Sequence, residues 1–350
     1  MLSNASASQP TASANSTSRE AADLIQMATA IWRARALYAA ARLGLADHIA
    51  NCQYTSGELA RLTGTHPASL RRLLRALASC GILTETKPER FALTPIGAAL
   101  RTGAPGAARA TILTIAGDWQ WKAWDAFLYS LQTGEPAMRK VFGSNLFEYL
   151  AANPEAGGNF NEAMIGIHGS DGAALLEVYD FSSFKTIVDI GGGTGMTLTT
   201  ILQSNARAHG ILLDVPETLP QAQRLVEARG LTERCDVVAG DFFKELPLNH
   251  DVYILAHVLH DWTDAQALPL LRNCRKAIPP HGRLLIVESV LPHGDTPHPA
   301  KLSDLLMLTV TGGVERTAEE FSALLAQARF TINNIIEMSN QQHIVEAVPC

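Results

Sequence analysis

TIVDIGGGTG, residues 186–195, runs from β-branched and aliphatic residues straight into glycines. Such a run predicts a buried strand that ends in a tight turn, and a helical pattern over Met196 to Ser204 follows it. The same unit then repeats down the chain. GILLDVPETL holds a second strand ending at Asp214, with helical spacing over Pro216 to Arg229. CDVVAGDFF gives a third strand, DVYILAHVLHDW a fourth followed by a helix over Asp264 to Ile278, and GRLLIVESVLP a fifth. Strands that alternate with helices build a parallel sheet covered on both faces. The expected class is therefore α/β, a Rossmann-like sheet with helices on both faces. Ligands of such sheets bind beyond the carboxyl ends of the strands, so the residues just past each strand carry the chemical information.

At the first exit stand Gly191, Gly193 and Gly195, where small residues let backbone approach a ligand and the following helix N-terminus favours negative charge. The dinucleotide fingerprint would need another glycine at 196, where this chain has Met196. Asp214 closes the next strand about 20 residues on, a spacing that suits a carboxylate bridging ribose hydroxyls. GDFF closes the third, offering Asp241 as an acceptor for an amine and Phe242 as a face for an adenine ring. A nucleoside with an amino-acid-like tail satisfies all three places. Each alone is ordinary loop chemistry; their order at successive strand ends is not.

The rest of the chain is read more coarsely. Residues 1–18 are polar without apolar periodicity and are expected to form a disordered tail. From Ala21 to Ile49, Leu24, Met27, Ile31, Leu37, Leu43 and Leu45 fall mostly at helical spacing. A helix from about Ser56, a turn at Gly64, a helix entered at Pro67 and stopped by Gly81, then strand-like pieces near Leu83 and Phe91 to Leu93, read as a winged helix. Arg71, Arg72 and Arg75 on its second helix make the pattern of a DNA reader, although winged helices also serve as interaction platforms with arginines on a solvated face. Residues 109–180 read as helical and hold Trp119, Trp121, Trp124, Phe127, Phe142, Phe147 and Phe160. Aromatic stripes are usually core, and some wall pockets for flat ligands.

With 350 residues, 47% of them hydrophobic, the chain can bury the cores of two domains. Its formal charge of -6 gives no general attraction to nucleic acid or to anionic membrane, which leaves small molecules as the expected ligands. Five scattered cysteines without a C-x-x-C pair argue against a disulfide framework or a cysteine zinc site, and fit a cytoplasmic protein. No run approaches the roughly 18 apolar residues of a membrane span.

Taken in order, VDIGGGTG, LLDVP, GDFF, HDW and GGVERTAEEF, behind a winged-helix region, resemble the S-adenosylmethionine-dependent O-methyltransferases, which include plant caffeate-type enzymes and bacterial tailoring enzymes. The resemblance covers nearly the whole chain beyond its first 18 residues. It implies S-adenosyl-L-methionine as cofactor, bound by Gly191, Gly193, Asp214, Asp241 and Phe242. It also implies a homodimer and a division into a tail (1–18), an α-helical winged-helix dimerisation domain (19–108), a helical linker and substrate-pocket region (109–180) and a catalytic methyltransferase sheet (181–350). His260, in HVLHDW, would be the base, with Glu288 and Glu315 flanking it and Asp261 lining the site. Plant members carry a lysine four residues before the motif histidine, where this chain has Ala256, so no cofactor contact is assigned there. His257 is read as a cofactor-side or structural residue.

Methyl transfer from a sulfonium needs a nucleophilic oxygen, and proton transfer from a phenol (pKa about 10) to an ordinary histidine (about 6.5) is uphill by roughly 5 kcal/mol. A histidine can still assist when proton loss accompanies methyl transfer, or when nearby carboxylates raise its basicity. A metal reading of the two histidines with Asp261 lacks the H-E-x-x-H helix pattern and a cysteine cluster, so no metal is expected. Met164, Trp124, Phe160 and Met307 are candidate pocket walls, each also explicable as core. The expected activity is O-methylation of an aromatic small molecule in secondary metabolism. The alternatives are N-methylation of a heteroaromatic, a sulfonium-assisted reaction without methyl transfer, and a metabolite-sensing DNA-binding regulator.

Overall fold

The computed structural model describes residues 13–51 and 54–350. They form two compact units that divide between Ala104 and Pro105.

The first unit runs through α1 (Ser13–Ala28), α2 (Ala30–Arg42), α3 (Leu45–Asn51), α4 (Ser56–Thr63), α5 (Pro67–Ser79), the hairpin β1 (Leu83–Lys87) and β2 (Arg90–Leu93), and α6 (Pro95–Ala98). A capping box opens α4: the Thr55 hydroxyl accepts the Glu58 N–H while the Glu58 carboxylate accepts the Thr55 N–H. Gly64 closes the helix in the left-handed region, and Pro67 opens α5. Leu70, Leu74 and Leu77 of α5 share one stripe and pack with Leu59 and Phe91. This is the winged helix, with the hairpin as wing. Arg71 is paired with Glu89 of the wing turn at 2.7 Å.

One expectation needs correction. The stretch 1–18, read as a tail, lies outside the described residues over 1–12, but α1 begins at Ser13. Adding residues to a helix already formed costs little, so α1 extends back into the polar stretch. Leu24 and Trp32 are 68% and 72% exposed, with Ile25, Met27 and Ile31 beside them. Both α1 and α2 thus leave large apolar side chains open to solvent.

The second unit begins with seven helices, α7 (Ala108–Ile115), α8 (Asp118–Asp125), α9 (Phe127–Thr133), α10 (Ala137–Phe142), α11 (Leu146–Ala152), α12 (Pro154–His168) and α13 (Asp171–Val178). The sheet follows: β3 (Thr186–Ile190), β4 (His209–Asp214), β5 (Cys235–Ala239), β6 (Val252–Ala256), β7 (Arg283–Glu288), β8 (Phe330–Glu337) and β9 (His343–Pro349). Around it lie α14 (Met196–Ser204), α15 (Leu219–Ala228), α16 (Asp264–Ala277), α17 (Ala300–Val310) and α18 (Ala318–Gln327).

The strand order is β5-β4-β3-β6-β7-β9-β8. The five strands read from the sequence pair in parallel, and β9 runs antiparallel to both β7 and β8. Val188, Ile190, Tyr253, Leu255, Leu284 and Ile286 point into the core on one face, while Ile187, Leu212, Val252, Ile254, Leu285 and Val287 point into the core on the other. Burial on both faces is why these strands are apolar throughout rather than alternating. The order reverses between β3 and β6, which opens the ligand crevice at their carboxyl ends. Among the described residues no helix is long and apolar enough to cross a membrane.

Candidate active site

Past Ile190 the chain turns through Gly191 and Gly193, and Gly195 caps α14, all three with positive φ (68°, 57° and 83°). The Gly191 N–H donates to the Leu213 carbonyl at 2.8 Å, and the Gly193 N–H to Asp214 Oδ2 at 2.7 Å. A Cβ on Gly191 would stand 2.8 Å from Val258 Cγ2 and 3.7 Å from the Phe242 ring, so the exits of β3, β5 and β6 meet here. At Gly193 the same position is open space.

Asp214 Oδ1 takes the Val215 N–H, and burial raises the carboxyl's pKa. Asp241 accepts the Phe243 N–H at 3.0 Å and faces Lys244 at 3.2 Å, while Phe242 lies edge-on to Trp262. Sequence reasoning missed Asp189. It is buried at the loop's base, where burial, with Asp214 nearby, pushes it up to about 7 against the main-chain N–H of Leu198.

The exit of β6 carries the second half of the site. His257 takes a left-handed conformation (φ 54°), and a single 3₁₀ turn, Leu259–Asp261, follows. The main-chain N–H of His260 donates to Glu288 Oε1 at 3.0 Å, and the ring Nδ1 lies 3.2 Å from Glu315 Oε1. That same Glu315 oxygen accepts the Ser303 hydroxyl at 2.9 Å. The loop carrying Glu315 lies directly on the turn: a Cβ on Gly313 would overlap the His260 carbonyl, which accepts the Val314 N–H at 2.9 Å. Burial pulls the His260 pKa down, but the bond to Glu315 and the charges of Glu288, Asp261 and Glu315 outweigh it and bring the ring to about 10. Burial pushes Glu288 up to about 7 and Asp261 up to about 6. Glu315 moves the other way, because contact with His260 outweighs its burial. One oxygen each of Glu288 and Glu315 finds no partner among the described residues.

His257 belongs to a separate polar knot. Its Nε2 lies 2.6 Å from Asp171 Oδ2, its ring stacks on His168 at 3.6 Å, and Asn340 donates to the other Asp171 oxygen at 2.6 Å. Burial lowers His257 to about 4; burial also opposes ionisation of Asp171, yet His168 and His257 hold it at about 2. His168, Asp171 and His257 are close enough to share an ion, but the rings lie face to face, so their in-plane lone pairs run side by side. Ala256, in the family's lysine position, packs with the core that holds Val252 and Ile254.

The pocket-wall expectations divide. Phe160 packs against the cluster of Trp119, Met138, Leu146, Leu150 and Val310, Trp124 lies against Phe127 at 5.1 Å, and Met307 is nearly buried in α17. Met164 sits one turn from both Phe160 and His168, on the same stripe of α12.

S-adenosylmethionine fits these residues. The loop has a cradle closed to side chains at Gly191 and open at Gly193, bordered by a strand-end carboxylate and an aromatic ring.

Comparison with known proteins agrees. The O-methyltransferase domain matches residues 124–331 and the O-methyltransferase dimerisation domain matches residues 25–103. The chain is 45% identical over 326 residues to phenazine O-methyltransferase PhzM of Lysobacter antibioticus, covering 93% of this chain and 95% of that one. It is 30% identical to phenazine-1-carboxylate N-methyltransferase of Pseudomonas aeruginosa, over 95% and 98% of the two chains. The O-methyltransferase NcsB1 from neocarzinostatin biosynthesis, solved with S-adenosylmethionine and 2-hydroxy-5-methyl naphthoic acid, superposes with a TM-score of 0.78 at 32% identity, over 91% and 96% of the chains. Two domain matches in one order and relatives aligned over nearly their full length establish that this chain belongs to the O-methyltransferase family of S-adenosylmethionine-dependent enzymes.

Proposed function

We propose that this methyltransferase alkylates a hydroxyl of a flat, hydroxylated aromatic metabolite, with His260 as the base. The observation that carries the reading is an imidazole whose Nδ1 meets Glu315 while Glu288 holds the same residue's main-chain N–H, at the end of β6 and next to the glycine loop. When bound, S-adenosylmethionine supplies an electrophilic methyl group on a sulfonium. Gly191, Gly193, Asp214, Asp241 and Phe242 are the residues to hold it.

With Nδ1 against Glu315, His260 keeps Nε2 for the acceptor hydroxyl. The carboxylates of Glu315, Glu288 and Asp261 raise the ring's basicity toward that of a phenol, which lowers the cost of roughly 5 kcal/mol expected of an ordinary histidine. Neutral imidazole with a phenol and imidazolium with a phenolate hold the same number of protons, so either description gives a rate that rises with pH. Attack of the oxygen on a sulfonium cancels charge, so a dry, apolar pocket does not oppose it.

The phenazine O-methyltransferase relative supports a tricyclic nitrogen heteroaromatic bearing a hydroxyl as acceptor. The dimerisation domain and the open apolar face of α1 and α2 support a homodimer. The relative acting on phenazine-1-carboxylate gives the second reading, ring N-methylation. Incubation with 1-hydroxyphenazine and labelled methyl donor separates the two. The expected product is an aryl methyl ether by NMR; an N-methyl phenazinium, or recovery of unchanged acceptor alone, would contradict the proposal.

A further inference from the structure

We infer that Arg316 is the positioning residue of the proposed base, locking the turn that carries His260 to the loop that carries Glu315; the inference rests on the reading of His260 given above. Arg316 is 1% exposed and heads the fully buried side chains by volume. Its Nη1 donates to the carbonyls of Leu259 (3.2 Å) and Val314 (3.3 Å), and its Nη2 to the carbonyl of Trp262 (2.8 Å). Nε and Nη2 both reach Asp264 Oδ1 at 2.9 Å. The guanidinium therefore grips both sides of the turn, before and after His260, together with the first residue of α16.

Its main chain is fixed at the other end. The Arg316 carbonyl accepts the Leu291 N–H at 2.9 Å, and Arg316 pairs with Val290, just past Glu288. One residue thus connects three segments: the His260 turn, the Glu315 loop and the exit of β7 with Glu288. Burying a cation is costly, and packing alone would be served by a hydrocarbon. Only a planar fork with five donors meets two flanking carbonyls and a carboxylate at once, and removing it leaves the Leu259 and Trp262 carbonyls without this donor. The 3.2 Å approach of His260 to Glu315 is set by how closely turn and loop are held.

The test is Arg316→Lys in the full chain, which keeps the charge and loses the fork. The expected result is a kcat about 10- to 100-fold lower, with both KM values and donor affinity within about threefold of wild type. The limb of the kcat–pH profile should move, and the downfield proton resonance of the His260–Glu315 contact should shift or broaden. Loss of donor affinity in parallel with kcat, or an unmoved profile and resonance, would overturn the inference. A displaced resonance with unchanged kcat would support the positioning role and overturn the base reading instead. If Arg316→Lys does not fold, Asp264→Asn weakens the exposed end of the same fork. A kcat about threefold lower with a displaced resonance then supports the role, and a wild-type resonance and profile overturns it.

Discussion

At His260 two opposing effects meet, and under the proposed base role their balance sets the pH dependence of turnover. Desolvation disfavours the imidazolium, while Glu315, Glu288 and Asp261 favour it more strongly. A ring that holds its proton to about pH 10 is a strong acceptor but mostly occupied at neutrality. Turnover of a phenolic acceptor should therefore climb about tenfold per pH unit on the alkaline side of neutrality. Glu315→Gln removes a negative neighbour, so the ring's pKa falls; the limb should move toward lower pH by about one unit or more while the plateau drops. A pH–rate profile checks this, and a limb left in place would show that Glu315 does not tune the ring. His260, Glu288 and Glu315 were expected together from the family resemblance, and the end of β6 brings the three into one cluster. Asp189 was not expected at the site, because an acid inside TIVDI reads as part of a buried strand until its carboxyl is seen beside Asp214 at the base of the loop. His257 lacked an account because Asp171 lies 86 residues away in sequence, and Arg316 was hidden in GGVERT behind the glutamate.

At the scale of elements, strand exits build the site, and the backbone of the β3 exit is its most constrained part. Gly191 combines a left-handed φ of 68° with a Val258 methyl 2.8 Å from any added Cβ. Gly191→Ala should cost about 1–2 kcal/mol in the binding-competent loop, hence about tenfold or more in donor affinity by titration calorimetry. Unchanged affinity would mean that this loop does not shape the donor site. The parallel strands were legible because burial on both faces leaves unbroken apolar runs with helical patterns between them. β8 and β9 were not singled out: β8, FTINNIIE, mixes asparagines with aliphatics and carries a register shift between Ile332 and Asn334. The region 109–180 was legible only as helical, since seven short helices give periodicity without showing which faces meet.

At the scale of the whole molecule, the sequence fits a winged helix followed by an α/β unit, and both are present. Amino-acid order could not show how copies pair; the exposed apolar residues of α1 and α2 became visible only once the helices were placed. Nor does composition name an acceptor, because the pocket depends on how several short helices pack. The assembled enzyme is nevertheless accountable to one chemical claim, that a single imidazole takes the proton of a hydroxyl as it is methylated. The most direct measurement is the single-turnover rate of methyl transfer to 1-hydroxyphenazine by His260→Gln, with donor affinity determined on the same preparation. The account predicts a rate about 100-fold or more below wild type, with donor affinity within about threefold. A rate equal to wild type at undiminished affinity would contradict it.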